Sequence, residues 1–442
     1  MMMLSLPYTF PNSTYTISPL PILHLSSFPF SCAALHCSFS NSCVQHSIVN
    51  CRNRKSKCLI MSSLPPSFRA SAEAASPSIP PLPEKRIVVG CGAVAVDFLA
   101  AVSAYPKPDD KIRSTSLLVQ GGGNAGNALT CAARLGLNSR LISKVADDPQ
   151  GRAILEELKA DGVDTSYSVV SKEGNSPFTY IIVDSQTKTR TCIHSPGNPP
   201  MVPDELPQEI LSSAVDGARL VYLDGRLHET ALVLAQEASC RKLPILVDAE
   251  RPREGLDSLL NLADYVVCSA KFPQAWTEAP SIPSALVSML VRLPKIKFII
   301  VTLGEDGCIM LDRRVEAEIP ELEEMDVDNA VGLLRQKING ENTIPACIPS
   351  KSVKRLKADG IGMVNGRLFV GTAEKIPASE LVDTTGAGDA FIGAILYAIC
   401  ADMPPEKMLP FAAQVAAAGC RALGARSGLP WHTDPRLVPF LC

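Results

Sequence analysis

No Cys-x-x-Cys pair occurs anywhere in the 442 residues, although the chain has fifteen cysteines. The spacing that zinc ribbons and thiol redox motifs need is therefore missing. Isolated cysteines in apolar runs are ordinarily small core residues, and the compartment reads as reducing. No apolar run reaches the roughly 18 residues required to cross a bilayer. The net charge is only −3, which provides no broad basic footprint for nucleic acid or for an anionic membrane. A small molecule is the default partner that remains. With 46% hydrophobic and 20% charged residues, the composition is globular and allows one large core or two ordinary ones.

Residues 1–62 contain no Asp or Glu, are rich in Ser and Pro, and end in the basic cluster Arg52, Arg54, Lys55 and Lys57. That is the composition of a transit peptide, and it predicts a chloroplast (plastid stroma) address. A start at Met61 would instead give a cytosolic form. Residues 63–83, rich in Pro, Ser and Ala, read as a disordered linker. The folded domain is expected over 84–442.

From there, short uninterrupted apolar runs alternate with longer helical patterns. The runs are Ile87 to Gly92, Ala218 to Gly225, Leu243 to Glu250, Ala263 to Ser269 and Lys297 to Gly304. Apolar character without alternation means burial on both faces, and so predicts an α/β fold with a mostly parallel sheet covered by helices. Two stretches break this rhythm, about 98–121 and 178–195, and read as strands of a small flap over a pocket. Residues 314–359, with seven acidic side chains between Glu316 and Asp328, read as an inserted, mostly solvated surface segment.

Three segments carry chemistry. In DTTGAGDAF, Asp383 to Phe391, the apolar spacing from Phe391 to Ile399 predicts a helix that starts at the glycines. Gly386, Ala387 and Gly388 would then offer free N–H groups and a positive dipole end to an anion. Asp389, in the first turn, would be a base beside that anion. Gly and Asp are also common helix-start residues, so this segment alone yields an anion site and little more. The second segment, Gly121 to Gly136, is a glycine turn entering a helix, with Asn124 and Asn127 one turn apart. Capping accounts for Asn124 but poorly for Asn127. Paired carboxamides bonding to sugar hydroxyls account for both. In the third, Gly90, Gly92 and Ala95 imitate a dinucleotide fingerprint, but no crossover helix follows, which rejects that reading. Asp97, at the end of the first strand and just before the flap, is better placed to grip a polyol.

These segments, in this order and with VTLGEDG (Val301 to Gly307), resemble the pfkB, or ribokinase-like, family of carbohydrate kinases. Within it the ketohexokinase subgroup is the most similar, through Tyr105 to Arg113, Gly122 to Asn127, Leu223 to Arg226, Val247 to Glu254 and Phe411 to Cys420. The resemblance implies a three-layer α/β/α fold with a β-strand lid, and ATP-dependent phosphorylation of a small sugar, a ketose such as fructose. It assigns Asp97, Gly123, Asn124 and Asn127 to the sugar, and Arg226, Gly304, Glu305, Asp306 and Gly307 to the nucleotide. Gly386, Ala387 and Gly388 form the anion hole, with Asp389 as catalytic base. Mg2+ accompanies ATP, and Asp383 and Thr385 are contacts for a monovalent cation, K+. A homodimer through the flap is a further implication. The family's N-x-x-E motif is replaced here by SAKF, Ser269 to Phe272. Two alternatives share the pattern. One is a kinase acting on ribose or a nucleoside; the other is a non-catalytic plastid interaction protein, against which the presence of Asp97, Asn127, Gly386, Gly388 and Asp389 counts.

Overall fold

The computed structural model describes residues 82–314 and 323–441, which all belong to one compact unit. The expected transit peptide and most of the linker lie outside these residues. The apolar runs form neighbouring parallel strands in the order Asn138–Ile142, Ile87–Cys91, Leu220–Leu223, Ile245–Ala249, Tyr265–Ser269 and Phe298–Thr302. The sheet continues antiparallel through Cys308–Arg313 and Gly362–Gly371.

Successive strand residues serve opposite faces, as the two-residue period requires. Val89 and Cys91 join one apolar cluster, beneath helices that include His228–Cys240 and Ile282–Arg292. Val88 joins the other, beneath Asn124–Arg134, Ala387–Cys400 and Pro405–Gly419. The result is the three-layer α/β/α arrangement expected from sequence.

A separate four-stranded sheet, ordered Ser116–Gly122, Ala95–Val102, Phe178–Asp184 and Arg190–Ser195, stands off the main one. Its own small core is Leu99, Ala101, Ile181 and Val183, with Leu118 and Leu423 packed against it. Asp97 lies inside a strand of this sheet rather than at the end of the first strand of the main sheet.

The stretch 314–359 differs from the solvated segment expected of it. Within the described part, Glu324–Asp326 and Lys354–Ala358 extend the main sheet at its edge. The helix Val327–Arg335 buries Val327, Ala330, Val331 and Leu334 in the first apolar cluster. Acidic residues dominate the local composition, but the helical spacing of these four apolar side chains decides where they go. Neighbouring leucines make the point testable: Leu334 is 4% exposed and Leu333 41%. We expect Leu334→Ala to cost about 2 kcal/mol or more in chemical denaturation, and Leu333→Ala to stay within about 0.5 kcal/mol of the parent.

Candidate active site

Gly386, in a left-handed conformation with φ of 73°, turns the chain into the helix Ala387–Cys400. A Cβ there would stand 2.5 Å from Ala425 Cβ, whereas one on Gly388 would meet nothing within 4 Å. The first glycine is therefore required by packing and the second opens onto free space. The Ala390 N–H closes on Gly386 O at 2.8 Å and the Ala387 N–H on Thr384 O at 3.3 Å. Those of Gly388 and Asp389 lie in the first turn, where no intrahelical acceptor exists, so the helix start presents donors and a dipole to the space above Gly388.

Asp389 projects from this turn. Its Oδ2 accepts from Asn127 Nδ2 at 2.8 Å. Burial, foremost, pushes its carboxyl up to about 7, while the Asn127 bond and the nearby Arg226 and Arg190 oppose the rise. On the lid, Asp97 is buried beside Thr179 and rises to about 6, again chiefly through burial, with Arg426 pulling the other way. Gly122 leaves room for that carboxylate, since a Cβ there would lie 2.0 Å from Asp97 Oδ2.

A cavity of about 460 Å³ is lined by Asp97, Gly123, Asn124, Asn127, Arg226, Thr385, Gly386, Gly388 and Asp389, among others. Neither asparagine is a cap. Gly123, with φ of 86°, holds the N-cap position without a side-chain bond. Asn124 donates to Asp248 Oδ2 at 3.5 Å and accepts from Arg226 Nη2 at 3.0 Å.

Other predicted site residues fall elsewhere. Gly304, Glu305 and Asp306 form an exposed turn beyond Thr302, and Thr302 marks the cavity's limit on this side; Gly307 closes that turn. Ala387 and Asp383 do not line the cavity. The oxygens of Asp383 are taken by three donors, Thr385 N–H at 2.9 Å, Thr385 Oγ1 at 2.8 Å and Gly424 N–H at 2.9 Å. This carboxylate braces the anion loop. In the SAKF stretch, Ser269 Oγ donates to Glu250 O at 2.6 Å and Phe272 is fully buried.

Several lining residues had no role assigned from sequence: Asp248, Glu250, Arg190 and His194. Asp224, just behind the wall, accepts from the N–H groups of Ala93, Ala125 and Arg226 at 2.7, 3.2 and 2.9 Å. Asp224 and Asp248 had a readable signal, an acid placed at the carboxyl end of an uninterrupted apolar run, where α/β sheets form their ligand crevice. Glu250 draws three arginines together. Arg226 and Arg253 reach its Oε2 at 3.1 and 2.6 Å, with Arg251 at 3.9 Å. The Arg226 Nε is buried without an acceptor, and a buried unpaired cationic donor favours an anionic ligand.

The cavity thus brings together a helix start with free N–H groups, a raised carboxyl and two carboxamides, one of them bonded to that carboxyl. The chain belongs to the pfkB family carbohydrate kinases, whose family model matches residues 85–332 and 353–432. It is 22% identical to mouse ribokinase over 370 residues, covering 81% of this chain and 96% of that one. To mouse ketohexokinase it is also 22% identical, over 349 residues, covering 77% and 98%. The structure of Arabidopsis thaliana ribokinase complexed with ribose and ATP matches with a TM-score of 0.57 at 19% identity, covering 80% and 98%. Equal identity to a ribokinase and a ketohexokinase leaves the acceptor undivided at this level.

The glycine geometry predicts a contrast in thermal melts. Gly386→Ala should lose about 1–3 kcal/mol, from positive φ and the Ala425 clash. Gly388→Ala should hold within about 0.5 kcal/mol of the parent, because its methyl meets no atom.

Proposed function

We propose that this chain transfers the γ-phosphoryl group of Mg-ATP to a hydroxyl of a small sugar, a ketose such as fructose. The observation that carries the reading is Asp389, a carboxyl raised to about 7 and held in the first turn of a helix open to an anion. In that position it accepts the proton of the attacking hydroxyl while the helix start stabilises charge on the phosphoryl group. Asp97, Asn124 and Asn127 line the same cavity and offer both acceptors and donors to a polyol. The ketose assignment rests on the LDGR and VDAERPRE stretches, which contribute Arg226, Asp248, Glu250 and Arg251 to the cavity.

The site suits the polyphosphate through the unpaired Arg226 Nε and the open space over Gly388. Mg2+ carried with ATP would neutralise phosphate charge during transfer. Arg226 and its neighbours orient the phosphates, and the lid limits access of water.

A screen of the full chain with Mg-ATP across ketoses, aldoses and nucleosides tests the class and the acceptor together. We expect Asp389→Asn to bind ATP within a few-fold of the parent while losing about 10²–10⁴-fold in turnover. The raised carboxyl must be ionised to act as a base, so kcat/KM should rise with pH through about 7 and fall about tenfold per unit below it. Near-parental turnover by Asp389→Asn would refute the assignment.

We also infer a homodimer through the outer face of the lid sheet. There Leu117, Val119, Tyr180 and Ile193 are each more than half exposed, a contiguous apolar patch of the kind that marks an interface. In light scattering the parent should run at twice the chain mass and Tyr180→Glu/Ile193→Lys at the chain mass. A monomeric parent would exclude the dimer.

A further inference from the structure

Arginine belongs at the surface, yet Arg426 is 1% exposed and is the largest of the fully buried side chains. A buried cation is costly unless it is paired and hydrogen-bonded. Its Nε donates to Asn127 Oδ1 at 2.9 Å and its Nη2 to Gly122 O at 3.0 Å. Glu157 Oε1 lies 3.5 Å from Nη1, which makes no hydrogen bond. The Arg426 carbonyl accepts from Arg134 Nη1 at 2.7 Å. Space for the guanidinium comes from two glycines of the asparagine segment: a Cβ on Gly121 would stand 2.3 Å from Nη1, and one on Gly126 2.4 Å from Nη2.

The chemistry of the groups fixes a direction. A guanidinium has donors only, whereas a carboxamide has an accepting end and a donating end. With Oδ1 of Asn127 turned to Arg426, its Nδ2 must face Asp389 and donate. A donor favours the ionised carboxylate; an amide oxygen turned there would favour the protonated acid.

We propose that Arg426 is a positioning residue, which orients the Asn127 amide so that it donates to Asp389 and keeps that carboxyl ionisable. The proposal rests on Asp389 being the base. Other groups bear on Asp389 from the elements around it. Glu250 raises its pKa and Arg226 and Arg190 lower it, and Asp248, Tyr222 and Cys131 stand within its field. The charge of Arg426 is felt by Glu157, Asp97, Asp161 and Arg134. Its effect on Asp389 arrives through the amide.

Two substitutions in the full chain separate orientation from charge and from folding. Arg426→Met removes the donor. Gly126→Ala keeps the charge but displaces Nη2, the end of a flexible side chain, from a position whose backbone accepts alanine. The Asp389 carboxyl is followed by NMR in protein labelled with 13Cγ-aspartate, its signal identified by loss in Asp389→Asn, alongside the pH profile of kcat/KM. We expect both variants to move the Asp389 titration upward by about one unit, with turnover lost about tenfold at acid pH and largely recovered at alkaline pH. A folded Gly126→Ala or Arg426→Met protein with the parental Asp389 titration overturns the proposal. If Arg426→Met fails to fold, Gly126→Ala decides. A parent inactive on every acceptor refutes the kinase reading, while the carboxyl titration still judges the role of Arg426.

Discussion

Gly393 allows the helix Ala387–Cys400 to press against the helix Asn124–Arg134 so closely that a Cβ there would lie 2.5 Å from Cys131 Cβ and 2.7 Å from Ala128 O. At that separation Cys131 Sγ reaches Ala390 O at 3.4 Å, and one turn earlier Asn127 reaches Asp389. The two helices are distant in sequence, Asn127 and Asp389 being 262 residues apart, and each alone delivers half of the cavity's polar groups: amides from one, a helix start and a carboxylate from the other. Their starts coincide at the carboxyl edge of the sheet because both pack with their apolar faces on the same side of it. Bulk at Gly393 would separate the carboxylate from the amide without touching either.

The buried carboxylates differ in how many donors they receive, and that separates anchors from candidate reactants. Asp224 takes three backbone N–H groups and thereby ties together the turn after the first strand, the start of the asparagine helix and the Arg226 loop. Asp383 likewise takes three donors and braces the anion loop. Burial still pushes Asp224 up, but its backbone bonds oppose that rise. Asp389 has the single Asn127 donor, and burial dominates, lifting it to about 7. Such a group changes protonation near neutrality, as a base must.

What could be read from the sequence was local. The apolar runs revealed the parallel strands, because burial on both faces leaves an unbroken signature. DTTGAGDAF revealed a helix start, because helical periodicity follows its glycines. Asn127 stood out because an amide inside a first turn needs a partner, and the partner is Asp389. What could not be read depends on distant pairings. Arg426 sits in CRALGARSGLP with nothing nearby to mark it as buried; its partners Gly122, Asn127 and Glu157 lie some 270 to 300 residues earlier. The segment around Val327 misled because its acidic residues obscured four apolar ones at helical spacing. Gly304 to Asp306 form an exposed turn that does not line the cavity.

The loop 420–428 joins parts that the main sheet does not connect. Leu423 packs on the small core of the lid, and the Gly424 N–H holds Asp383 below the anion turn. Arg426 grips Asn127, and Ser427 donates to Gln120 on a lid strand at 2.9 Å. From the other side Arg190, also on the lid, donates to Thr384 Oγ1 at 2.9 Å. A shift of the lid is therefore felt at the anion turn and at the asparagine pair through short, mostly polar links rather than through the apolar core. Polar links of this length are directional, whereas apolar contacts slide. On the kinase reading proposed above, these links would couple the hydroxyl-binding half to the phosphate-binding half. That coupling is what a site must have if transfer is to wait until both partners are in position.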